Sequence, residues 1–280
     1  MTSEPLNSGS ASPTVSAQAA GSAAGAPGAV GRQGAVGALA PHRVLAEYYS
    51  SEGDRREFLD DIFDKTSSNY DRIETLIGFG SGPWYRRQAL LRAGLKSGMS
   101  VIDVGIGTGL VAREAAGIVG DASLITGVDP SAGMMSHAKL PVGVKLLRGK
   151  GEAIPMPDQS ADFLSMGFAL RHLSSLEAAF SEFFRVTRPG ARICLLEITR
   201  AQGSFAGGLL KIYLKRIVPT IARVWSRDAE TARIWRYYWD TIEACVPPEA
   251  VMKALNDAGF ADVRRHVELG IFSEYQARRP

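Results

Sequence analysis

The segment Val101–Leu110, VIDVGIGTGL, narrows what this chain can fold into more than any other. A short β-branched run passes directly into glycines at alternate positions, Gly105, Gly107 and Gly109, and then into a helical stretch. At a strand-to-helix turn, glycine reaches dihedral angles closed to other residues and lets the backbone approach a ligand within contact distance. The next short strand ends at Asp129, 26 residues after Asp103 (129 minus 103). A carboxylate there can accept hydrogen bonds from both hydroxyls of a ribose. Together the turn and the acidic residue place a nucleoside across the ends of two adjacent strands. A tight turn followed by a helix-capping aspartate is the purely architectural alternative.

The surrounding pattern supplies a sheet for that turn. Strands are expected at 100–104, 123–128, 144–147, 161–166 and 191–198, with helices at 110–118, around Met134 and Met135, and at 175–187. Strands alternating with helices at this spacing imply βαβ crossovers and a parallel sheet. Pro247 and Pro248 open a helix that stops at Gly259, and 263–269 with 271–277 form a closing antiparallel pair. The expectation is an α/β, Rossmann-like seven-stranded, mostly parallel sheet with helices on both faces. Helices over 42–71 and 84–95, separated by the break at 78–83, precede it. Between Arg200 and Val246 the alternation fails and helices replace a simple crossover. This insertion follows the fifth strand, on the side where parallel sheets bind ligands, so it is expected to form a helical lid, residues 200–246.

Residues 1–41 are Ala, Gly, Ser and Pro with only Glu4 and Arg32 charged. So few bulky groups cannot offset the roughly 1–2 kcal/mol per residue of backbone ordering entropy, so a disordered tail is expected ahead of one folded domain, 42–280. Lys plus Arg is 32 against 29 for Asp plus Glu, and a net charge of +3 is too small to argue for nucleic acid. Cys194 and Cys245 offer neither a CxxC pair nor a disulfide framework, which makes a reduced, cytoplasmic protein the default. No run approaches the roughly 18 apolar residues of a membrane span. No His/Cys/Asp/Glu cluster has metal-ligand spacing, so no metal is expected.

The glycine spacing then separates two nucleoside classes. A dinucleotide site spaces its glycines G-x-G-x-x-G, with pyrophosphate on the helix N-terminus. Here the spacing is G-x-G-x-G, and Asp103 stands two residues ahead of the first glycine. An acidic group there repels pyrophosphate and suits a cationic ligand such as the amino group and sulfonium of S-adenosylmethionine.

With these residues in view, the chain resembles the class I S-adenosylmethionine-dependent methyltransferases. Within them it is most similar to the ubiquinone/menaquinone biosynthesis C-methyltransferase (UbiE-type) family. The resemblance rests on 103–109 with Asp129, on SSNYDRIETLIGFG with Tyr70 and Asp71, and on KGEAIPMPDQSAD at 150–162. It extends through GFALRH at 167–172, RVTRPGA at 185–191 and DAGF at 257–260, and covers roughly Phe58 to Tyr275. It implies S-adenosylmethionine as methyl donor, with Asp103, Gly105, Gly107, Thr108, Gly109, Asp129, Met134, Gly151, Glu152 and Gly167 around it. Three positions depart from the family pattern. Lys150 stands where the family has Asn or Asp near the adenine, which leaves the adenine to backbone groups or Glu152; Ala169 replaces a glycine; and His172 replaces an asparagine.

Methyl transfer is an in-line displacement in which the protein mainly orients nucleophile, methyl and sulfur. For a phenolic acceptor, deprotonating a ring hydroxyl raises electron density at the adjacent carbon. The catalytic candidates are His172 as base, Arg171 as electrostatic partner of a developing phenolate, and Tyr70, which with Asp71 closes over the donor. The alternative pairs Arg171 with a carboxylate, lets His172 cap the following helix and leaves Tyr70 in core packing. His42, His137 and His266 are expected to be non-catalytic. In the insertion, Leu209, Leu210, Tyr213, Leu214, Ile217 and Val218 form an apolar stripe opposite Lys211, Lys215 and Arg216. Such a helix either packs on the core or lies peripherally on an anionic membrane. Trp225, Trp235, Tyr237, Tyr238 and Trp239 suit a flat aromatic or lipid-like acceptor, or an interface in a homodimer. The leading expectation is C-methylation of a quinone, hydroquinone or related aromatic. An N- or O-methyltransferase acting on a phospholipid or aromatic natural product, and a non-catalytic nucleoside-binding regulator, are the alternatives.

Overall fold

A computed structural model describes residues 39–280 except 52, 56, 60, 65–70, 72–74, 76–79, 201–211, 219 and 221–228. Of the expected tail over 1–41, residues 1–38 lie outside the described residues, as do Tyr70, Leu209, Leu210, Lys211 and Trp225. Seven strands among the described residues form one sheet: β1 (Val101–Val104), β2 (Ile125–Asp129), β3 (Lys145–Arg148), β4 (Ala161–Gly167), β5 (Thr187–Ile198), β6 (Ala261–Glu268) and β7 (Phe272–Arg278). Their order is β3-β2-β1-β4-β5-β7-β6. β1 to β5 run parallel, and β7 pairs antiparallel with both β5 and β6, as the expected closing pair. β1 and β2 are buried at every position, the mark of parallel strands covered on both faces. The chain runs outward from β1 through β2 to β3 and then returns to place β4 on the other side of β1, so the winding reverses there and opens a crevice at the carboxyl ends of those strands.

Helices α2 (Gly82–Ala93) and α3 (Leu110–Val119) cover one face, where Leu90, Val111 and Ala115 meet Phe163 and Leu196. The other face carries α5 (Leu176–Val186) and α7 (Pro248–Asp257). Helix α5 buries Leu176, Ala179, Phe180, Phe183 and Val186, one stripe of a 3.6-residue period. Each fully buried Phe or Leu there contributes about 1.5–3 kcal/mol. Ser175 caps this helix through the Ala178 N–H at 3.2 Å, so the capping role considered for His172 belongs to Ser175.

The expected helix over 42–71 starts later than the pattern suggested. Residues 39–49 form an irregular strap: Leu176 N–H donates to Leu39 O, Val246 N–H donates to Pro41 O, and His42 bridges Cys245. The described residues from 53 to 64 are helical, here α1. Its start is set by Ser51 Oγ, which accepts the Asp54 N–H at 3.1 Å, while the Asp54 carboxylate accepts the Ser50 N–H at 3.2 Å. A third cluster joins Tyr49, Phe58 and Ile62 to α6 (Ala229–Ala244) through Ile234, Tyr237 and Tyr238.

In the insertion, the described stretch Tyr213–Ile217 is a π-helical turn, which moves side chains off the 3.6-residue stripe. Val218 is buried, whereas Ile217 and Ile212 are exposed. The aromatic face of α6 is turned largely inward. Tyr237 is fully buried against Tyr48 and Phe58, and Trp239 is buried with its Nε1–H donated to Glu243. Those two side chains are therefore not available to a subunit interface. Among the described residues, no helix is long and apolar enough to cross a membrane.

Candidate active site

One cavity lies over the carboxyl ends of β1, β2 and β4, and its donor half is built by the glycine turn. Gly105 and Gly107 have φ of 68° and 53°, in the left-handed region. A Cβ at Gly105 would stand 2.7 Å from the Ala169 Cβ, so both dihedral and space demand glycine there. The Gly105 N–H donates to Val128 O at 2.8 Å, tying the turn to β2. Asp129 then locks the arrangement: one carboxylate oxygen accepts the Gly107 N–H at 2.8 Å and the other the Ser131 N–H at 2.9 Å. Gly105, Gly107, Thr108, Asp129, Met134, Gly151, Glu152 and Gly167 all line this cavity, with Lys150 beside them. Thr108 donates its hydroxyl to Asp71, which also meets Arg113 at 3.5 Å, so the segment carrying Asp71 does reach the donor turn. Glu152 accepts the Ser174 N–H. Gly109, outside the lining, serves the turn itself through φ 87° and the N–H donated to Ile106 O.

Asp103 corrects the simplest electrostatic expectation. It is 1% exposed and lies behind the cavity wall rather than in it. One oxygen accepts the Ser165 hydroxyl at 2.7 Å and the other has no well-formed hydrogen bond. Burial, opposed by the Ser165 bond and reinforced by the charge of Asp129, pushes its carboxyl up to about 7. It therefore acts on a ligand as a field from beneath the turn, not as a contact.

The acceptor half is assembled from distant parts of the chain. Leu59 and Phe63 come from α1, Arg86 from α2, Phe168, Ala169 and His172 from the loop after β4, and Tyr238 from α6. Phe168 holds φ 59°, strained for an aromatic residue, with its N–H on Leu196 O at 2.7 Å. His172 sits among rings: Phe63 edge-on at 5.3 Å, Tyr237 stacked at 5.8 Å and Tyr238 tilted at 5.9 Å. Its carbon edge is partly exposed, but both ring nitrogens are buried without a hydrogen-bond partner. Burial, with the charges of Arg171 and Arg55, holds its pKa well below the usual histidine range.

Arg171 is not in the cavity lining, so as electrostatic partner of a phenolate it would act from behind the wall rather than by contact. Its guanidinium is 3% exposed and pairs with Glu197 at 2.5 Å, while its Nε–H donates to Thr241 and Nη1 to Phe168 O. This is the carboxylate-paired alternative. The guanidinium also lies 4.9 Å from the centre of the Tyr238 ring, so it braces the wall rather than forming it.

Sequence reasoning missed Arg55, Leu59, Phe63, Arg86 and Phe168. A signal existed for the two arginines. Arg86 shares the buried stripe Tyr85, Ala89, Leu90 and Ala93, and Arg55 stands one turn before Phe58 and Leu59 and two before Ile62. An arginine on the apolar face of a helix is either paired or at work in a site.

A sheet in this order, with a glycine turn after β1 and an acidic residue ending β2, defines a class I S-adenosylmethionine-dependent methyltransferase, an enzyme that takes that donor. Solved structures agree on the fold. An S-adenosylmethionine-dependent methyltransferase from Thermotoga maritima matches with TM-score 0.55 at 21% identity, over 79% of this chain and 99% of that one. Phosphoethanolamine N-methyltransferase 2 of Haemonchus contortus, solved with S-adenosylmethionine, matches with TM-score 0.57 at 17% identity, over 83% and 60%. More narrowly, the model of the ubiE/COQ5 methyltransferase family matches residues 50–277, and the chain belongs to that family. It is 30% identical to the demethylmenaquinone methyltransferase of Corynebacterium efficiens over 78% of this chain and 93% of that protein. It is 27% identical to the ubiquinone/menaquinone biosynthesis C-methyltransferase UbiE of Shewanella pealeana over 72% and 82%. The residues present fit the donor: the turn leaves a cradle that a Cβ at Gly105 would fill, beside the Asp129 carboxylate.

Proposed function

We propose that this enzyme methylates a ring carbon of a hydroquinone-type acceptor. The observation that carries the reading is the acceptor half of the cavity. Leu59, Phe63, Phe168 and Tyr238 make flat apolar walls, and His172 brings an imidazole with two unpartnered nitrogens. A flat ring packs on such walls, and once the imidazole turns a nitrogen toward the cavity a ring hydroxyl would give it the hydrogen bond it lacks. The names of the relatives, a demethylmenaquinone methyltransferase and a ubiquinone/menaquinone C-methyltransferase, support the same class.

S-Adenosylmethionine, when bound, supplies an electrophilic methyl group on a sulfonium. The chain's own residues hold the acceptor in line with it, and orientation of this kind contributes on the order of 7–11 kcal/mol of barrier reduction. His172, kept neutral by burial and by the nearby guanidiniums, accepts the hydrogen bond of a ring hydroxyl at neutral pH. The positive potential of Arg171 and Arg55, partly offset by Glu197, favours the ionised hydroxyl and so the electron-rich neighbouring carbon. Arg86, on the acceptor-side wall with its guanidinium over the Phe168 ring at 5.6 Å, would pair with an anionic group of a bound ligand. The exposed Ile212 and Ile217 beside exposed Arg216 support peripheral contact with an anionic membrane carrying a lipid-like acceptor.

The test is incubation with labelled donor and, side by side, a demethylated naphthohydroquinone and a phosphatidylethanolamine, followed by mass spectrometry. The expected result is one added methyl on the hydroquinone. Label on the phospholipid alone would replace this reading with N-methylation.

A further inference from the structure

Helix α1 touches both halves of the site at its two ends. At one end, Arg55, 1% exposed, donates from a single terminal nitrogen to Arg171 O at 2.9 Å and Leu173 O at 3.0 Å. These are the carbonyls on either side of His172. At the other end, Asp64 accepts the Ser131 hydroxyl at 2.6 Å and the Gly133 N–H at 3.1 Å. Ser131 in turn gives its N–H to Asp129, and Gly133 lies in the short helix α4 (Ala132–Ser136), which carries Met134. A Cβ at Gly133 would stand 2.5 Å from the Asp64 carboxylate, so the contact leaves no room for a larger residue. Arg55 and Asp64 stand nine positions apart on α1, about 13.5 Å at the helical rise. Between them Phe63 packs edge-on against His172 at 5.3 Å.

We propose that α1 is a strut through which the donor positions the acceptor loop, with Asp64 and Arg55 as its two positioning residues. A ribose bound at Asp129 would fix Asp129 and, through the Ser131 N–H, Ser131, whose position Asp64 reads. The rod carries it to Arg55, which sets the backbone around His172. Neither residue touches the reacting atoms. The coupling rests on the donor site alone, so it stands whether or not the acceptor is a hydroquinone.

The test is hydrogen exchange resolved by segment, with S-adenosylhomocysteine as the probe. In the wild type, probe binding is expected to slow exchange at 105–109 and also at 170–174. Asp64 is exposed, so Asp64→Ala should fold normally, which an unchanged thermal midpoint without ligand would verify. In that variant the protection at 105–109 should persist while that at 170–174 falls at least several-fold. Arg55→Lys keeps the charge and loses the two-carbonyl grip. It should retain protection within 57–64 and lose it at 170–174. Equal protection of 170–174 in wild type and Asp64→Ala, or no transmitted protection in the wild type, would overturn the proposal. With a working acceptor, Asp64→Ala should raise the acceptor KM more than it lowers kcat. A uniform fall in kcat with unchanged KM would also overturn it.

Discussion

Donor binding should release a proton, and Asp103 is its source. In the ligand-free protein this carboxyl is raised to about 7, chiefly by burial and further by Asp129. The Ser165 hydroxyl, the Ala112 N–H and Arg86 oppose that shift. A rise of about 3 pH units above an ordinary carboxylate corresponds to about 4 kcal/mol against ionisation. The sign follows from linkage. Between pH about 4 and about 7 the folded state holds more protons than the unfolded one. The stability this group contributes is therefore full at low pH and is lost as pH rises toward 7. A sulfonium and an ammonium placed over the turn favour the ionised form, so the proton leaves when the donor arrives. At pH 6.5 a group of pKa about 7 is about three-quarters protonated, so binding should release up to about 0.7 of a proton. Titration calorimetry of S-adenosylmethionine in buffers of different ionisation enthalpy measures this number directly. Asp103→Asn should release none at pH 6.5. Its melting midpoint should also gain on the wild type, by on the order of 10 °C, between pH 5 and pH 8. Zero release by the wild type, or equal release by wild type and variant, would refute the reasoning.

Three further outcomes follow from the geometry. His172→Gln should lower kcat by about 10²-fold or more, and wild-type activity should show no His172 titration between pH 6 and 8, because this histidine is already neutral there. An unchanged rate would remove His172 from the chemistry. Glu197→Ala leaves the buried Arg171 charge unpaired and should cost about 3–5 kcal/mol in urea unfolding, against which a loss under about 1 kcal/mol would count. Gly105→Ala forces a side chain into φ 68° and toward Ala169. The strain, about 1–2 kcal/mol, should weaken donor affinity roughly 5–30-fold by calorimetry, and wild-type affinity would contradict the role given to the turn.

The donor half was readable because it is local. The dihedral demands on 105–109 and the carboxylate at 129 lie within one βαβ unit, and each is stated by residue type alone. The alternation of strands and helices likewise carried the sheet, including its antiparallel close. The acceptor half was readable only in part: His172 and Tyr238 stood out by residue type, whereas Leu59, Phe63 and Phe168 join them only after the sheet and α6 have packed. Arg171 shows why a motif match can mislead about contact. Its partner Glu197 lies 26 residues on, at the end of the neighbouring strand, and pulls the guanidinium out of the cavity. Asp103 shows the same limit for charge: its place in the sequence sets the sign it would have in water, and only its burial reveals that it carries a proton near neutrality. The late start of α1 was legible in Ser51 and Asp54, a capping pair that periodicity alone passes over.

The central claim is transfer of methyl from S-adenosylmethionine to a ring carbon beside a hydroxyl, in the chamber formed by α1, α6 and the loop after β4. Its most direct test uses donor labelled with ¹³C in the methyl group, a demethylated hydroquinone, and NMR of the purified product. The account predicts a methyl whose protons correlate with three ring carbons and whose carbon has the shift of an aryl methyl. A methoxyl or N-methyl signal, with the ring position left unlabelled, would contradict it.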